Sequence, residues 1–413
     1  MDIKRAFMNI IEFDKTIFVY IKRSGIDIMD TLKLGIIGMG RMAARHLINI
    51  MNGKIPHVEV VAGYDIDPQK AGPYQALMGD KGKYFSVFPS AEALMASKKV
   101  NAILVASPHY SHPEYAIMAL KHNLHVLIEK PAGVYTKQVK ELNAAAAKSD
   151  RVFGIMFNQR STPEHQKIRS IINSGELGSL KRVVWLITDW YRVQSYYETS
   201  DWRATWDGEG GGVIINQAAH QMDLWQWFFG MPKRIRTFAG FGKYHDIQTE
   251  DDVTVYMEYE NGMTATLITS THETPGSNRL EISADMGKIV LENKKLIFCK
   301  NCMSEREYNI KYKIPDGSLR YDALTYETID IDYGKSLIVD EQHVVVFNNF
   351  ADVIRNGGKL IAPGPEGING VILTNAIYLS SFIDGTVEIP IDDDLYLSEL
   401  NKRIVKYGGT PRK

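Results

Sequence analysis

Leu34-Gly35-Ile36-Ile37-Gly38-Met39-Gly40-Arg41-Met42-Ala43-Ala44-Arg45-His46-Leu47 runs from an apolar segment through two closely spaced glycines into residues that favour a helix. A G-x-G-x-x-A spacing in a strand-turn-helix setting has a physical meaning. Gly38 permits the tight turn. Gly40 leaves room for a pyrophosphate to reach the backbone N–H groups at the helix start, where Arg41 and Met42 lie, and small Ala43 lets helix and strand pack closely. Asp65 follows Gly40 by 25 residues and ends the next apolar run, so its carboxylate can accept from the hydroxyls of an adenine ribose. A carboxylate there repels a ribose 2′-phosphate and favours NAD; Arg41, able to pair with that phosphate, keeps NADP open.

Outward from this stretch, short apolar runs at Leu34 to Ile37, Val58 to Tyr64, Ala102 to Ala106 and His125 to Ile128 alternate with helix-like segments. Such alternation predicts an α/β fold with a doubly wound parallel sheet. Beyond about Arg151 the texture changes. Alternating stretches at Lys181 to Trp190, Arg234 to Phe241, Val253 to Tyr259, Thr264 to Thr271 and Leu280 to Ala284 predict a large, mostly antiparallel, open-faced sheet. Helical patterns interrupt it at Pro163 to Asn173, Asn216 to Phe229, Val344 to Arg355 and Gly367 to Ile383, making a second, α+β domain. A chain of 413 residues is too long for one ordinary core. The expected division is an N-terminal extension over 1–31, a NAD-binding domain over 32–151, and a substrate-binding and oligomerisation domain over 152–413 whose final helices can return to the first domain.

The 48 basic and 49 acidic residues are interspersed, which removes the electrostatic footprint of a nucleic-acid or anionic-membrane partner and leaves a small molecule as the expected ligand. No run approaches the roughly 18 apolar residues of a membrane span. Met1 to Asp30 holds one brief apolar stretch, Ile17 to Ile21, and no small-residue cleavage site, so a cytoplasmic protein is expected. Cys299 and Cys302 form a lone C-x-x-C among strand-like residues, without the second pair a structural zinc site needs; they read as incidental thiols, and no metal is expected.

The chemistry centres on Glu129-Lys130-Pro131, at the end of the run His125 to Ile128. A lysine in a partly dry cleft can shed its proton or stabilise an alkoxide. Asn216, His220 and Asp223 stand at i, i+4 and i+7 after Gly210-Gly211-Gly212, a spacing that predicts one helix face entered from an unobstructed glycine turn. Oxidising a secondary alcohol removes a hydroxyl proton as hydride leaves the carbon. His220 as base with Lys130 as alkoxide stabiliser forms one pair; Lys130 itself, its pKa lowered beside a nicotinamide cation, is the competing base. Asp223 is expected to orient His220 or cap a neighbouring group rather than to react. All six tryptophans lie between Trp185 and Trp227. Trp202 and Trp206, in a Gly/Asp-rich loop, are candidates to stack on a sugar ring, with Arg203, Arg160, Asn158 and Asn216 reading hydroxyls, while Trp225 and Trp227 include core residues.

On these motifs, together with Ser107-Pro108-His109-Tyr110-Ser111-His112-Pro113 and Asn158-Gln159-Arg160, the chain resembles the Gfo/Idh/MocA family of glucose-fructose oxidoreductases and inositol dehydrogenases, over nearly its whole length. The resemblance implies a nicotinamide cofactor against Gly38, Gly40, Arg41, Met42, Asp65, Ser107, Pro108, His109, His112, Glu129, Lys130 and Gln159. It implies a sugar, glycoside or polyol against the second domain's sheet, with Asn158, Arg160, Trp202, Arg203, Asn216 and Asp223 nearby, and a homodimer or homotetramer built through that sheet. Many members carry an aspartate where this chain has Asn216, and an amide cannot take a proton at neutral pH. The base is therefore His220 or Lys130. The leading expectation is an NAD-dependent dehydrogenase acting on a ring carbinol. The alternatives are an NAD-retaining glycosidase that oxidises carbon 3 transiently before elimination, and a non-catalytic NAD- or sugar-binding regulator.

Overall fold

The computed structural model describes residues 31–312 and 324–413; the expected N-terminal extension, 1–31, lies outside them except for its last residue. Six parallel strands form the first sheet: β1 (Leu32–Ile37), β2 (Val58–Tyr64), β3 (Ser86–Val87), β4 (Ala102–Val105), β5 (His125–Ile128) and β6 (Phe153–Ile155), in the order β3-β2-β1-β4-β5-β6. The order reverses between β1 and β4, which opens a crevice at their C-terminal ends. Both faces of the sheet are covered, so its strands are apolar throughout rather than alternating. Leu34, Ile36 and Leu127 join one core, while Ile37, Val126 and Ile128 join the other. The helix Val339–Asn356, late in the chain, contributes Val346, Phe347 and Phe350 to the first of these.

The second sheet has nine strands: β7 (Leu180–Ile187), β8 (Arg234–Phe241), β9 (Glu250–Glu258), β10 (Thr264–Ser270), β11 (Asn278–Ala284), β12 (Gly287–Glu292), β13 (Lys295–Asn301), β14 (Tyr326–Asp330) and β15 (Val387–Glu388). Their order is β14-β13-β12-β11-β7-β10-β9-β8-β15, antiparallel except where β10 runs beside β7. Strand alternation sends Val183, Ile235, Val255, Leu267 and Ile282 into one large core under the helices Ala219–Phe229 and Gly367–Phe382. The opposite residues form the uncovered face. Each fully buried side chain of this kind contributes about 1.5–3 kcal/mol. No helix among the described residues is long and apolar enough to cross a membrane.

Candidate active site

The crevice at the β1/β4 reversal is a cleft of about 360 Å³ lined by Gly38, Asp65, Ser107, Pro108, Tyr115 and Trp202, among others. Gly38 has φ +86°, and a Cβ on it would lie 2.7 Å from the backbone of Ala106 and Ser107, so the turn after β1 requires glycine. Gly40 differs: a Cβ there would meet no protein atom within 4 Å. Gly40 also caps the helix Arg41–Met51 without a side-chain hydrogen bond, leaving the first N–H groups of the helix without a side-chain acceptor. A cradle made of backbone donors and free of side chains fits a pyrophosphate. Asp65 accepts from Met39 N at 2.6 Å and Asp67 N at 2.9 Å, which fixes its carboxylate at the end of β2 with lone pairs to spare. Arg41 is exposed at the helix start, and Met42 is half-buried beside it.

Two histidines shape the loop after β4. Both ring nitrogens of His112 lie 2.7 Å from backbone carbonyls, those of Ser107 and Pro131, so the ring couples the cofactor loop to the segment that carries Lys130. His109 Nδ1 lies 3.0 Å from the Glu209 carbonyl, and its ring meets Trp202 edge-on. Glu129, at the end of β5, is buried. Burial alone would raise its pKa, but the bond with His46 (2.7 Å) and the surrounding positive charge bring it down to about 2. Gln159 Oε1 accepts from Gln221 Nε2 at 3.0 Å.

Lys130 Nζ donates to the Asn216 backbone carbonyl at 2.8 Å and to Asn216 Oδ1 at 3.3 Å. The Asn216 amide in turn donates to Glu209 Oε1, while Glu209 Oε2 accepts from Ala204 N at 2.6 Å. Burial lowers the Lys130 pKa, Arg203 and Arg192 push the same way, and Glu129 and Glu209 oppose it. His220 is driven well below the usual histidine range, first by burial and then by the Lys130 charge; its Nδ1 is buried without a hydrogen-bond partner among the described residues. Lys130, His220, Asn216 and Arg203 thus come together as expected residues, and Glu209 joins them unanticipated.

Burial raises the Glu209 carboxyl from 4.5 to about 7 despite its donors. A raised folded-state pKa contributes stability that is complete below pH 4.5 and lost as pH rises through about 7. Glu209→Gln removes that dependence. Its unfolding free energy, measured by urea denaturation across this range, is expected to gain on wild type by on the order of 1–3 kcal/mol as pH rises. A pH-independent difference would exclude the raised carboxyl.

Several expectations are corrected. The helix begins at Ala219, so Asn216 precedes it, in a turn where Asn216 N donates to Gly212 O, and does not share a helix face with His220. The glycine turn is packed rather than open: a Cβ on Gly211 would strike the Tyr378 hydroxyl, and Glu250 accepts from Gly212 N, Ile214 N and Tyr378 Oη. Asp223 does not orient His220. It pairs with Arg160 through two bonds of 2.8 and 2.6 Å, both residues about 1% exposed, and Arg160 also reaches Glu366 at 2.5 Å. Arg160 and Asp223 therefore clamp three segments instead of reading a substrate. Asn158 is likewise buried, donating to Gln342 Oε1 at 2.8 Å. Trp202 faces the cofactor cleft, and Trp206 is core, packed on Phe241, Tyr378 and Phe382 with its indole N–H on the Gln248 carbonyl. Trp225 is core as expected.

Residues 32–157 match the model of the oxidoreductase family with an NAD-binding Rossmann fold, and residues 165–290 match the GFO/IDH/MocA C-terminal domain. An uncharacterised oxidoreductase, YrbE, of Bacillus subtilis is 24% identical over 271 residues, covering 63% of this chain and 74% of that protein. Inositol 2-dehydrogenase of Rubrobacter xylanophilus is 26% identical over 202 residues, covering 48% of this chain and about half, 52%, of that enzyme. In fold, the chain is similar to the WlbA dehydrogenase of Bordetella pertussis, solved with NADH and UDP-GlcNAcA, with a TM-score of 0.71 at 20% identity covering 88% of this chain and all of that one. A levoglucosan dehydrogenase solved with NADH gives 0.71 at 18% identity, again covering 88% of this chain and all of the other. With one family model on each sheet, and with the glycine turn and Asp65 lining one crevice, the chain belongs to the Gfo/Idh/MocA oxidoreductases and carries their NAD-binding Rossmann fold.

Proposed function

We propose that the protein is an NAD-dependent dehydrogenase that oxidises a secondary alcohol of a sugar or polyol, with Lys130 as the proton acceptor. The observation that carries this reading is the anchoring of Lys130 Nζ on both oxygens of Asn216 beside a histidine held neutral. A base is most effective when its pKa lies near the working pH. The Lys130 pKa moves down toward that range, whereas that of His220 moves away from it, and a proton placed on His220 would create a second cation beside Lys130. Neutral Lys130 keeps two N–H groups for Asn216 and turns its lone pair to the substrate hydroxyl. His220 orients that hydroxyl as a neutral hydrogen-bonding partner. NAD bound along Gly38, Gly40 and Asp65 would supply the hydride acceptor. Names among the relatives lend support: besides inositol 2-dehydrogenase, a glucose-6-phosphate 3-dehydrogenase of Bacillus subtilis is 30% identical over 148 residues.

The uncovered face of the second sheet fits a second copy of the chain. Phe238 and Tyr256 are exposed there, and Tyr256, Thr266 and Val184 line up across adjacent strands.

The test is NADH formation by the full chain over a panel of sugars and polyols. Stoichiometric NADH supports a dehydrogenase; glycoside cleavage without NADH release would replace it with the NAD-retaining glycosidase. Asp65→Asn is expected to weaken NAD binding about tenfold or more, since a hydrogen bond to a charged acceptor contributes about 1.5–3 kcal/mol, and to weaken NADP binding less. Titration of the intrinsic tryptophan fluorescence checks it, and equal losses for the two cofactors would remove Asp65 from the ribose.

A further inference from the structure

The substrate side of Lys130 carries more positive charge than its own carboxylates balance. Arg192 follows β7 by a few residues and is half-buried. Its Nη1 donates to the carbonyls of Tyr191 at 2.8 Å and Trp190 at 3.3 Å, and its guanidinium lies 5.0 Å from the centre of the Tyr196 ring. The Arg203 guanidinium lies 4.7 Å from the same ring and donates to the Tyr196 hydroxyl at 2.9 Å. That hydroxyl is 3.5 Å from Asn216 Nδ2, and Asn216 holds Lys130. A connected line therefore runs from Arg192 through Tyr196 and Asn216 to the reacting lysine, and both guanidinium charges are felt at Lys130.

The acids of this region are committed elsewhere or insufficient. Glu209 lies 4.0 Å from Arg203 and also serves Ala204 and Asn216. Glu129 pairs with His46. Asp251 takes His245 and the backbone N–H groups of Lys243, Tyr244 and His245. Among the described residues no carboxylate lies within ion-pair distance of Arg192, and neither arginine lines the cleft around Gly38 and Asp65, so the cofactor phosphates do not account for them. The Arg192 guanidinium meets only carbonyls and aromatic rings, so its charge has no carboxylate to balance it, and an arriving anion with its two oxygens in one plane meets the guanidinium fork in a charge-assisted pair.

Building on the dehydrogenase reading, we propose that the substrate is an anionic sugar, one bearing a carboxylate or a phosphate group. Arg192 holds the anion while a ring hydroxyl lies at Lys130, about the separation that Tyr196 and Asn216 span between the two side chains. The neutral sugar lacks that pair, and hydrogen bonds to charged groups contribute about 1.5–3 kcal/mol, equivalent to about 10- to 10²-fold in affinity.

The experiment compares glucose, glucuronate and glucose 6-phosphate with the full chain and NAD, reading both NADH formation and thermal stabilisation of the NAD-loaded protein. The expected result is a preference of about 10- to 10²-fold for one anionic sugar over glucose, lost in Arg192→Gln while NAD affinity is unchanged. The two anionic arms identify the group. Equal stabilisation by glucose and both anions, or an Arg192→Gln defect that falls on NAD affinity, would overturn the proposal. Anion-selective stabilisation without NADH from any sugar would keep the anion site and overturn the dehydrogenase reading instead.

Discussion

Lys130→Ala is expected to lower kcat by at least about 10²-fold. On the proposed mechanism alanine removes the proton acceptor, which neither neighbour replaces: Asn216 is an amide, and a proton on His220 is disfavoured by burial. The loss falls on kcat, with NAD affinity changed little, because the pyrophosphate cradle at Gly38 and Gly40 is built from backbone on another strand. Lys130→Arg restores the charge but not the activity, as a guanidinium does not release its proton near neutral pH. Steady-state rates with NAD binding measured in parallel check both variants. Unchanged turnover in Lys130→Ala would remove the mechanism.

The second large effect is on stability. Arg160→Met strands the Asp223 carboxylate in a buried site, where losing one partner of an ion pair costs about 3–5 kcal/mol. The double variant Arg160→Met/Asp223→Leu replaces the pair by apolar groups and is expected to recover most of that loss. Denaturant midpoints of the three proteins measure it. At a temperature where Arg160→Met remains folded, its KM for the proposed substrate is expected to stay near the wild-type value, because the two buried side chains are spent on each other. A stable Arg160→Met protein with a strongly raised KM would return Arg160 to the substrate.

The parts of the site legible in sequence are those imposed by local backbone. Gly38 must be glycine because its turn presses on Ala106 and Ser107, and Asp65 and Lys130 are recognisable because each ends a strand of the parallel sheet. Residues whose meaning depends on a distant partner are not legible in this way. Arg160 and Asp223 are 63 positions apart, and nothing local distinguishes a polar side chain that meets its partner in the core from one that waits for a ligand. Asn216 keeps helical spacing to His220, yet Glu250, brought in by a distant strand, accepts from Gly212 N and Ile214 N and holds the segment just before Asn216 in a turn. Glu209 had a readable signal. An amide where the family resemblance implies an acid calls for a carboxylate nearby, and Glu209 adjoins the glycine run. Strands β12, β14 and β15 are not legible because they are short or mix charged with apolar residues on a sheet whose second face is uncovered, and β13 is signalled only by the strand-like residues around Cys299.

The most direct measurement is the pH dependence of kcat/KM in wild type and Glu209→Gln. With Lys130 as base, the rate rises with pH through one ionisation below the 10.5 of an ordinary lysine and then levels off. Glu209 is one of the groups holding the Lys130 proton on, so its neutralisation moves that rise to lower pH. A profile that is flat, that falls with rising pH, or that stays in place in Glu209→Gln would contradict Lys130 as the proton acceptor.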